Sequence, residues 1–509
     1  MNSPLLRLQP ENSPSPATHP APRASLANRA LRVWWKVLGL APSNTSPATH
    51  AAIIAGAMLV VAAVSWGRLA VRGTLSQVGD GVISAGHWTW MASLLAVALY
   101  LAGRSFAHVA YYGTADLSIR RIVLLGAAVH ATSLPALPLL SGDVYVNLAT
   151  GRLLNLGFDP LIHPPASLPA ADPFRACVVE RWKNTVTPYG PLLMWFHAPA
   201  AAAGSVVGGL LVFKLLFAAL IAFMLWIAAR YALCDGATPA ARTGLAMAAW
   251  NPISSSEFLG QLHSDVFPVA AAMAFVWCAR RGRIGAASAS AAAALFSKFV
   301  VLPAVGLYLV FLARRRPAYA VGAAAIVAAV GAAAYLPFWS GTATFDGLRA
   351  AVSTDRERFS GSVAMLLYQA VRHAASPQAA AVWQQVWSFG IGLALSALAL
   401  HLVRKVRTSN DVVQGAFVFT LAYLTCGTGW VMPWYAAWLI PWMFAIRNPG
   451  AVRAGACFTA LAPILYMPDA AELRTVVFTL AVHLTPWCAW RRYERGRRLR
   501  AAESVEIAG

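Results

Sequence analysis

Apolar residues along this chain come in long blocks, separated by short polar connections, from residue 51 to residue 490. The blocks lie near 51–71, 88–104, 121–140, 206–229, 243–259, 265–280, 284–297, 299–313, 317–338, 383–403, 411–428, 431–447, 452–468 and 473–490. Each approaches the roughly 20 consecutive apolar residues that a membrane-crossing helix needs. Several are short enough for neighbours to merge, so the pattern predicts an all-α polytopic membrane protein of about 12–14 transmembrane helices. Before residue 51 the pattern lapses. Residues 1–50 are rich in Pro, Ser, Ala and Thr and are expected to form a disordered cytoplasmic segment, with VWWKVLGL (33–40) on the membrane surface. The first strong apolar run comes too late for a cleavable signal peptide. Residues 491–509 open with RRYERGRRLR and are expected to be a basic cytoplasmic tail.

The polar connections orient the blocks. Cytoplasmic loops of membrane proteins carry an excess of Lys and Arg. With the N-terminus inside, the even connections hold every dense arginine cluster, including Arg280/Arg281/Arg283, Arg314/Arg315/Arg316 and Arg404/Lys405/Arg407. Two long odd connections, about 141–204 and 339–381, then face outside. YGPLLMWFHAPAAAAG (189–204) is apolar but short and broken by Pro191 and Pro199, and reads as a helix along the outer surface. A crossing there would put the later arginine clusters outside. Residues 51–490 therefore read as one transmembrane domain with two outer loops.

Composition supports lipid as the solvent. The chain is 59% hydrophobic and 12% charged, against about 25% charged in soluble domains; the mean hydropathy is +0.59. The formal net charge of +21 would suit nucleic acid, but the basic residues sit between apolar runs, as membrane loops require, so no nucleic-acid partner is expected. The six cysteines lie far apart, without a disulfide framework or a CxxC pair.

Within this frame a few polar residues stand out. SGDVYVNLATGRLLNLGFDP (141–160) follows an apolar run. Ser141 can cap a helix with Asp143 in its first turn, where the macrodipole favours a carboxylate. Asp143, Asn147 and Thr150 then share one face, and Gly157 can end the helix before Pro160. The expected element is a short amphipathic helix on the outer surface, presenting one acid at the membrane border; a solvated helix-capping Asp explains the residue equally well. In NPISSSEFLGQLHSDV (251–266) the Asn251-Pro252 pair interrupts an apolar run, and Glu257, Gln261 and Asp265 follow at intervals of four, on one helical stripe beside His263. Acids at membrane depth mark function or an interhelical hydrogen-bond network. His263-x-Asp265 has no third ligand at usable spacing, so no metal site is assigned, and a divalent cation is left open. Lys298 could snorkel or meet an anion. Arg356 and Arg358, in STDRERFSGS (353–362), suit phosphate oxygens, though a solvated charge run explains either one alone better. GTGWVMPWYAAWLIPW (427–442) gathers Trp434, Tyr435 and further tryptophans, as an interfacial belt or as a surface to stack on a sugar.

In order along the chain, these pieces resemble the GT-C glycosyltransferases, and most closely the bacterial polyprenol-phosphate-mannose-dependent α-1,6-mannosyltransferases. SGDVYVNLATGRLLNLGFDP looks like their first outer loop, an acid followed by the aromatic Tyr145 and a Gly-x-[DN]-Pro. TVTPYGPL (185–192) resembles their Tyr-Gly-Pro element. NPISSSEFLGQLHSDV is similar to their Asn-Pro…Gly-x-x-His-Asn-Asp segment, and GWVMPWYAAWLIPW to their Pro-Trp-Tyr-x-x-Trp segment. Ser264 departs from Asn, and Leu161 stands where an aromatic often follows Asp-Pro. The resemblance implies a bacterial-type plasma (inner) membrane enzyme with both termini cytoplasmic and its active site on the outer face. It would move a hexose, mannose by resemblance, from a polyprenol-phosphate donor to a glycan or glycolipid acceptor. It implies Asp143 as catalytic base. Lys298, Arg356 or Arg358 would neutralise the departing phosphate. Tyr145, Tyr189, Glu257, Gln261, His263, Asp265, Trp434 and Tyr435 would bind substrate or shape the cavity. The competing expectation is a secondary transporter or lipid flippase, with Glu257, Asp265 and Lys298 as ion sites; the chain shows no convincing internal repeat of the transporter kind.

Overall fold

A computed structural model describes residues 44–72, 89–114, 117–138, 140–350, 361–466 and 472–508. Residues 1–43, with VWWKVLGL, and the stretch holding Arg356 and Arg358 lie outside the described residues. The described residues are mostly helical, with no β-strand among them. Five helices are long and apolar enough to cross a membrane: Pro47–Ala70, Ser93–Tyr112, Val206–Cys234, Pro317–Phe338 and Pro377–Lys405. Val266–Arg280 and Ile284–Leu295 are apolar but shorter. Leu215, Val321 and Phe389 on the long helices are largely exposed, an outward-facing apolar surface that suits lipid. The chain is an all-α polytopic membrane protein.

The apolar blocks are less regular than their hydropathy predicts, and the irregularities build the site. The block at 243–259 holds a helix only over Pro239–Ala249. Asn251 then turns its side chain back, and its Oδ1 accepts the amides of Ile253 (3.0 Å) and Ser254 (3.4 Å). A π-helical turn, Ser254–Gly260, follows. The turn through 261–265 carries Leu262 in the left-handed region, with φ at 59°, a conformation that costs a non-glycine residue about 1–2 kcal/mol. The Val266–Arg280 helix starts beyond it. The block at 431–447, expected to be a span, is a 3-10 helix over Pro433–Leu439 followed by the short helix Ile440–Met443. Pro433 and Pro441 remove backbone donors there, and the stretch follows the π-helical turn Tyr423–Gly427. Such broken backbone is tolerated at membrane depth where protein surrounds it, and nearly all of residues 251–266 and 433–446 are buried.

The connections at 141–204 and after 335 pack on each other. Leu161, Met194 and Phe338 form a buried apolar cluster against Leu154 and Tyr335. Trp182 lies flat against Trp430, centroids 6.2 Å apart. Leu161, one of the departures from the family pattern, is thus a core residue of this cap.

Candidate active site

Asp143 opens the helix Asp143–Asn155. The N-cap position is Gly142 rather than Ser141, but the Ser141 Oγ still accepts the Asp143 amide at 3.2 Å. The helix does not lie on the surface with its polar face outward, as the amphipathic pattern predicts. That face is buried: Asn147 donates from Nδ2 to Ser264 Oγ at 2.9 Å, and Thr150 returns its hydroxyl to the Val146 carbonyl. The packing partner is the 11-residue helix Pro191–Ala201. The two helices approach so closely that a Cβ at Gly151 would stand 2.5 Å from the His197 carbonyl oxygen. Tyr145, on this helix, is buried. Asp159, the second acid of the opening stretch, shapes a turn: its Oδ1 accepts the Leu161 amide at 2.9 Å, and burial raises its pKa.

The irregular segment after Asn251 sends Glu257, Gln261 and Asp265 in three different directions, not along one stripe. Glu257 is buried; its Oε2 accepts the Tyr466 hydroxyl at 2.7 Å and its Oε1 the Ser256 hydroxyl at 3.2 Å. Gln261 turns away, its Oε1 accepting the Leu140 amide at 2.6 Å. Asp265 Oδ1 receives both Lys298 Nζ (2.7 Å) and the Trp438 indole (2.5 Å). Between them sits His263, its ring stacked on Trp434 at a centroid distance of 3.9 Å. Its Nδ1 is 3.8 Å from Asp143 Oδ2 and its Nε2 is 3.5 Å from Glu257 Oε2. Burial holds the imidazole below its ordinary pKa and Lys298 acts the same way, against the upward pull of Asp143 and Asp265.

Lys298 lies in a cage of rings. Its ammonium is 4.8 Å from the centre of Trp438, 5.2 Å from Tyr189 and 5.3 Å from Tyr435. Tyr435 and Trp438 stack on each other at 4.1 Å. Cation–π attraction and the Asp265 carboxylate together fix the head of a side chain that is otherwise flexible. Tyr189 reaches the cage because Gly190 lies directly on the Phe296–Ser297 backbone: its amide donates to the Ser297 carbonyl at 3.1 Å, and a Cβ there would fall 1.9 Å from the Phe296 carbonyl oxygen. Burial, and then the charges of Asp143 and Asp265, push the Tyr189 phenol well above its ordinary pKa, so it stays protonated.

The structure thus brings together Asp143, Tyr189, Glu257, His263, Asp265, Lys298, Trp434 and Tyr435. Asn147, His197, Ser264, Trp438 and Tyr466 join them without having been singled out for such roles. Ser264 shows why: its Oγ lies 2.7 Å from His197 Nε2 as well as 2.9 Å from Asn147 Nδ2. Both partners come from segments that are remote in sequence, and only the unusual Ser in place of Asn marked the position. Among the described residues, no group of three or more His, Cys, Asp or Glu side chains is placed to hold a metal ion, so a divalent cation gains no ligand set here.

Residues 47–316, more than half of the 509-residue chain, match the alpha-(1->6)-mannopyranosyltransferase N-terminal domain. The chain belongs to this family. It is 29% identical over 223 residues to alpha-(1->6)-mannopyranosyltransferase A of Corynebacterium glutamicum, across 41% of this chain and 44% of that protein. Against the Mycobacterium tuberculosis protein of the same name it is 24% identical over 425 residues, across 76% of this chain and 80% of the relative. The chain spans less than half the length of the C. glutamicum relative. No solved structure matches it. Within this mannopyranosyltransferase-family chain, the matched domain carries Asp143, Glu257, His263, Asp265 and Lys298, while Trp434, Trp438 and Tyr466 come from beyond it. Membership weighs against the transporter expectation.

Proposed function

We propose that this protein transfers a mannosyl residue from a polyprenol-phosphate donor to a hydroxyl of a glycan or glycolipid, at the outer face of a bacterial plasma membrane. One observation carries the reading. In the charged cluster, Glu257, His263 and Asp265 have side chains 1%, 3% and 3% exposed, while Asp143 and Lys298 keep 24% and 15%. The groups a substrate can reach are therefore one carboxylate and one ammonium, set among aromatic rings.

That pair matches the demands of the chemistry. The acceptor oxygen attacks the anomeric carbon as its bond to the phosphate oxygen breaks. Asp143 takes the hydroxyl proton, a general-base role worth about 10²–10⁴-fold in rate. The polyprenol phosphate leaves as an anion, which Lys298 can meet. A single displacement inverts the anomeric centre. His263, clamped by Trp434 and between two carboxylates, orients Asp143. Trp434 and Tyr435 offer faces on which a sugar can stack. Arg356 and Arg358 remain proposed phosphate partners from the sequence, and Tyr145, Glu257 and Gln261 support the walls. The basic connections at the other end of the helices support the outer-face placement.

The test is transfer by the purified full-length protein, with radiolabelled polyprenol-phosphate-mannose as donor and a short α-mannoside as acceptor. Wild type is expected to transfer, and Asp143→Asn, equally folded, to lose at least about 100-fold. Equal rates for both would remove Asp143 from the mechanism. Transfer from another polyprenol-phosphate sugar in place of the mannosyl donor would correct the sugar alone.

A further inference from the structure

The Val266–Arg280 helix begins beside Asp265 and ends at a second polar basin. At about 1.5 Å per residue, its length separates the two by roughly 20 Å. A cavity of about 290 Å³ opens there, away from the Asp143 cluster. Arg280 and Arg447 stand at its rim, from segments distant in sequence. Both guanidiniums bond a single atom, Asp235 Oδ1, at 3.1 Å and 2.7 Å. One carboxylate balances only one of them, so the arginine side of the cavity keeps a net positive charge. Both arginine side chains remain accessible, at 40% and 57% exposure.

The facing rim is the start of the 14-residue helix Ser409–Ala422. A capping box closes it: Thr408 Oγ1 accepts the Asp411 amide, and Asp411 Oδ2 accepts the amides of Thr408 (2.8 Å) and Arg407 (2.9 Å). The first-turn amides of Ser409 and Asn410, which also line the cavity, have no partner further back in their own helix. Beside the Asp411 carboxylate, the Ser409 and Asn410 amides can still donate to an anion. Behind this polar rim the wall is apolar, with Phe275 and Val412 among its residues. Trp442 belongs to the same wall, and its indole Nε1 is buried with no hydrogen-bond partner. A buried N–H is costly to leave unpaired, and a ligand oxygen would satisfy it.

We propose that this cavity binds a phosphate-bearing ligand, the phosphate held by Arg280, Arg447 and the helix start, with an apolar portion against the inner wall. A phospholipid headgroup and a soluble phosphate ester share this chemistry. The inference stands apart from the transfer reading: it uses none of the residues around Asp143, and its test does not depend on activity.

The thermal unfolding midpoint of the full-length protein in nonionic detergent is followed against three probes: dihexanoyl phosphatidic acid, inorganic phosphate and dihexanoyl phosphatidylcholine. The expected result is a saturable rise with phosphatidic acid, and a half-saturating concentration at least tenfold higher in Arg280→Gln/Arg447→Gln. That variant frees Asp235 and can fail to fold. Asn410→Glu is therefore tested beside it. It places a carboxylate on the rim at a helix start, where the helix itself tolerates it, and should weaken binding by a similar factor. A rise with phosphate as large as with phosphatidic acid supports the site and names a soluble anion as its source; a rise with phosphatidic acid alone supports it and names a lipid. No saturable rise with either, equal stabilisation by phosphatidylcholine, or a half-saturation unchanged in every folded variant would overturn the proposal.

Discussion

Asp143 and Lys298 reach the surface of the charged cluster at two points, and each is backed by a buried partner of opposite or complementary character. For Lys298 the partner is Asp265, with a side chain 3% exposed. Removing one member of such a pair leaves a buried charge alone, at a cost of about 3–5 kcal/mol. Lys298→Met should therefore lower the unfolding midpoint markedly and depress transfer. Lys298→Met/Asp265→Asn should recover most of the stability and none of the transfer; recovery of both would make the lysine purely structural. For Asp143 the partner is His263, whose folded pKa lies below the ordinary 6.5. Below about pH 6.5 the unfolded chain then binds this proton more tightly than the folded one does. Stability from this residue is full above that pH and is lost as the pH falls. His263→Gln should flatten the acid-side loss of midpoint between pH 7 and pH 5, compared with wild type. The facing groups Asp143, Glu257, Asp265 and Lys298 stay in place in both proteins. At this scale the acids, His263 and Lys298 stood out in the sequence because charge is rare within apolar blocks. Asn147 showed only as a helix-face neighbour of Asp143, Ser264 only as a departure from the family pattern, and His197 not at all, since their value lies in touching one another.

Elements carry the site through their interruptions. A regular helix continued from 243 through 265 would send Glu257 and Gln261 along one stripe; the Asn251 turn and the π-helical segment send them in different directions instead. The aromatic stretch 433–443 is likewise a tight, broken segment that stacks Trp434 on His263 and sets Trp438 against Asp265. The Tyr-Gly-Pro element depends on its glycine. A methyl at Gly190 would collide with backbone at Phe296, which cannot rotate away. Gly190→Ala should cost about 3 kcal/mol, at the upper end of ordinary overpacking. It should also reduce transfer beyond what the lost stability explains, because Tyr189 would be displaced from Lys298. Unfolding midpoints and transfer rates of the folded fraction check both effects. Hydropathy announced that these blocks exist. It did not announce the breaks, apart from the Asn251-Pro252 interruption.

At the scale of the whole molecule, arginine clusters and the charged cluster around Asp143 lie at opposite ends of the Val266–Arg280 helix. The proposed orientation puts Asp143 outside. In a variant lacking its six native cysteines, a membrane-impermeant thiol reagent applied to intact cells should label Ala170→Cys and spare Arg283→Cys. Both positions are exposed in the structure. The reverse pattern would invert the topology and remove the outer-face assignment, while leaving family membership intact. The two long connections also act together at this scale: a Cβ at Gly347 would stand 2.0 Å from the Thr187 carbonyl oxygen, so neither is an independent loop.

The sequence by itself determined the solvent, the helical class and the chemical candidates. Long apolar blocks with few charges leave no alternative to helices in lipid, and a carboxylate, an imidazole and an ammonium at their ends stand out against that background. Only the tertiary structure decided which of them meet. Asp143, His263, Lys298 and Trp434 come from four segments spread over nearly 300 residues, and their convergence depends on where helices break and how closely two backbones approach. Those outcomes follow from packing between distant parts of the chain, which no local pattern encodes.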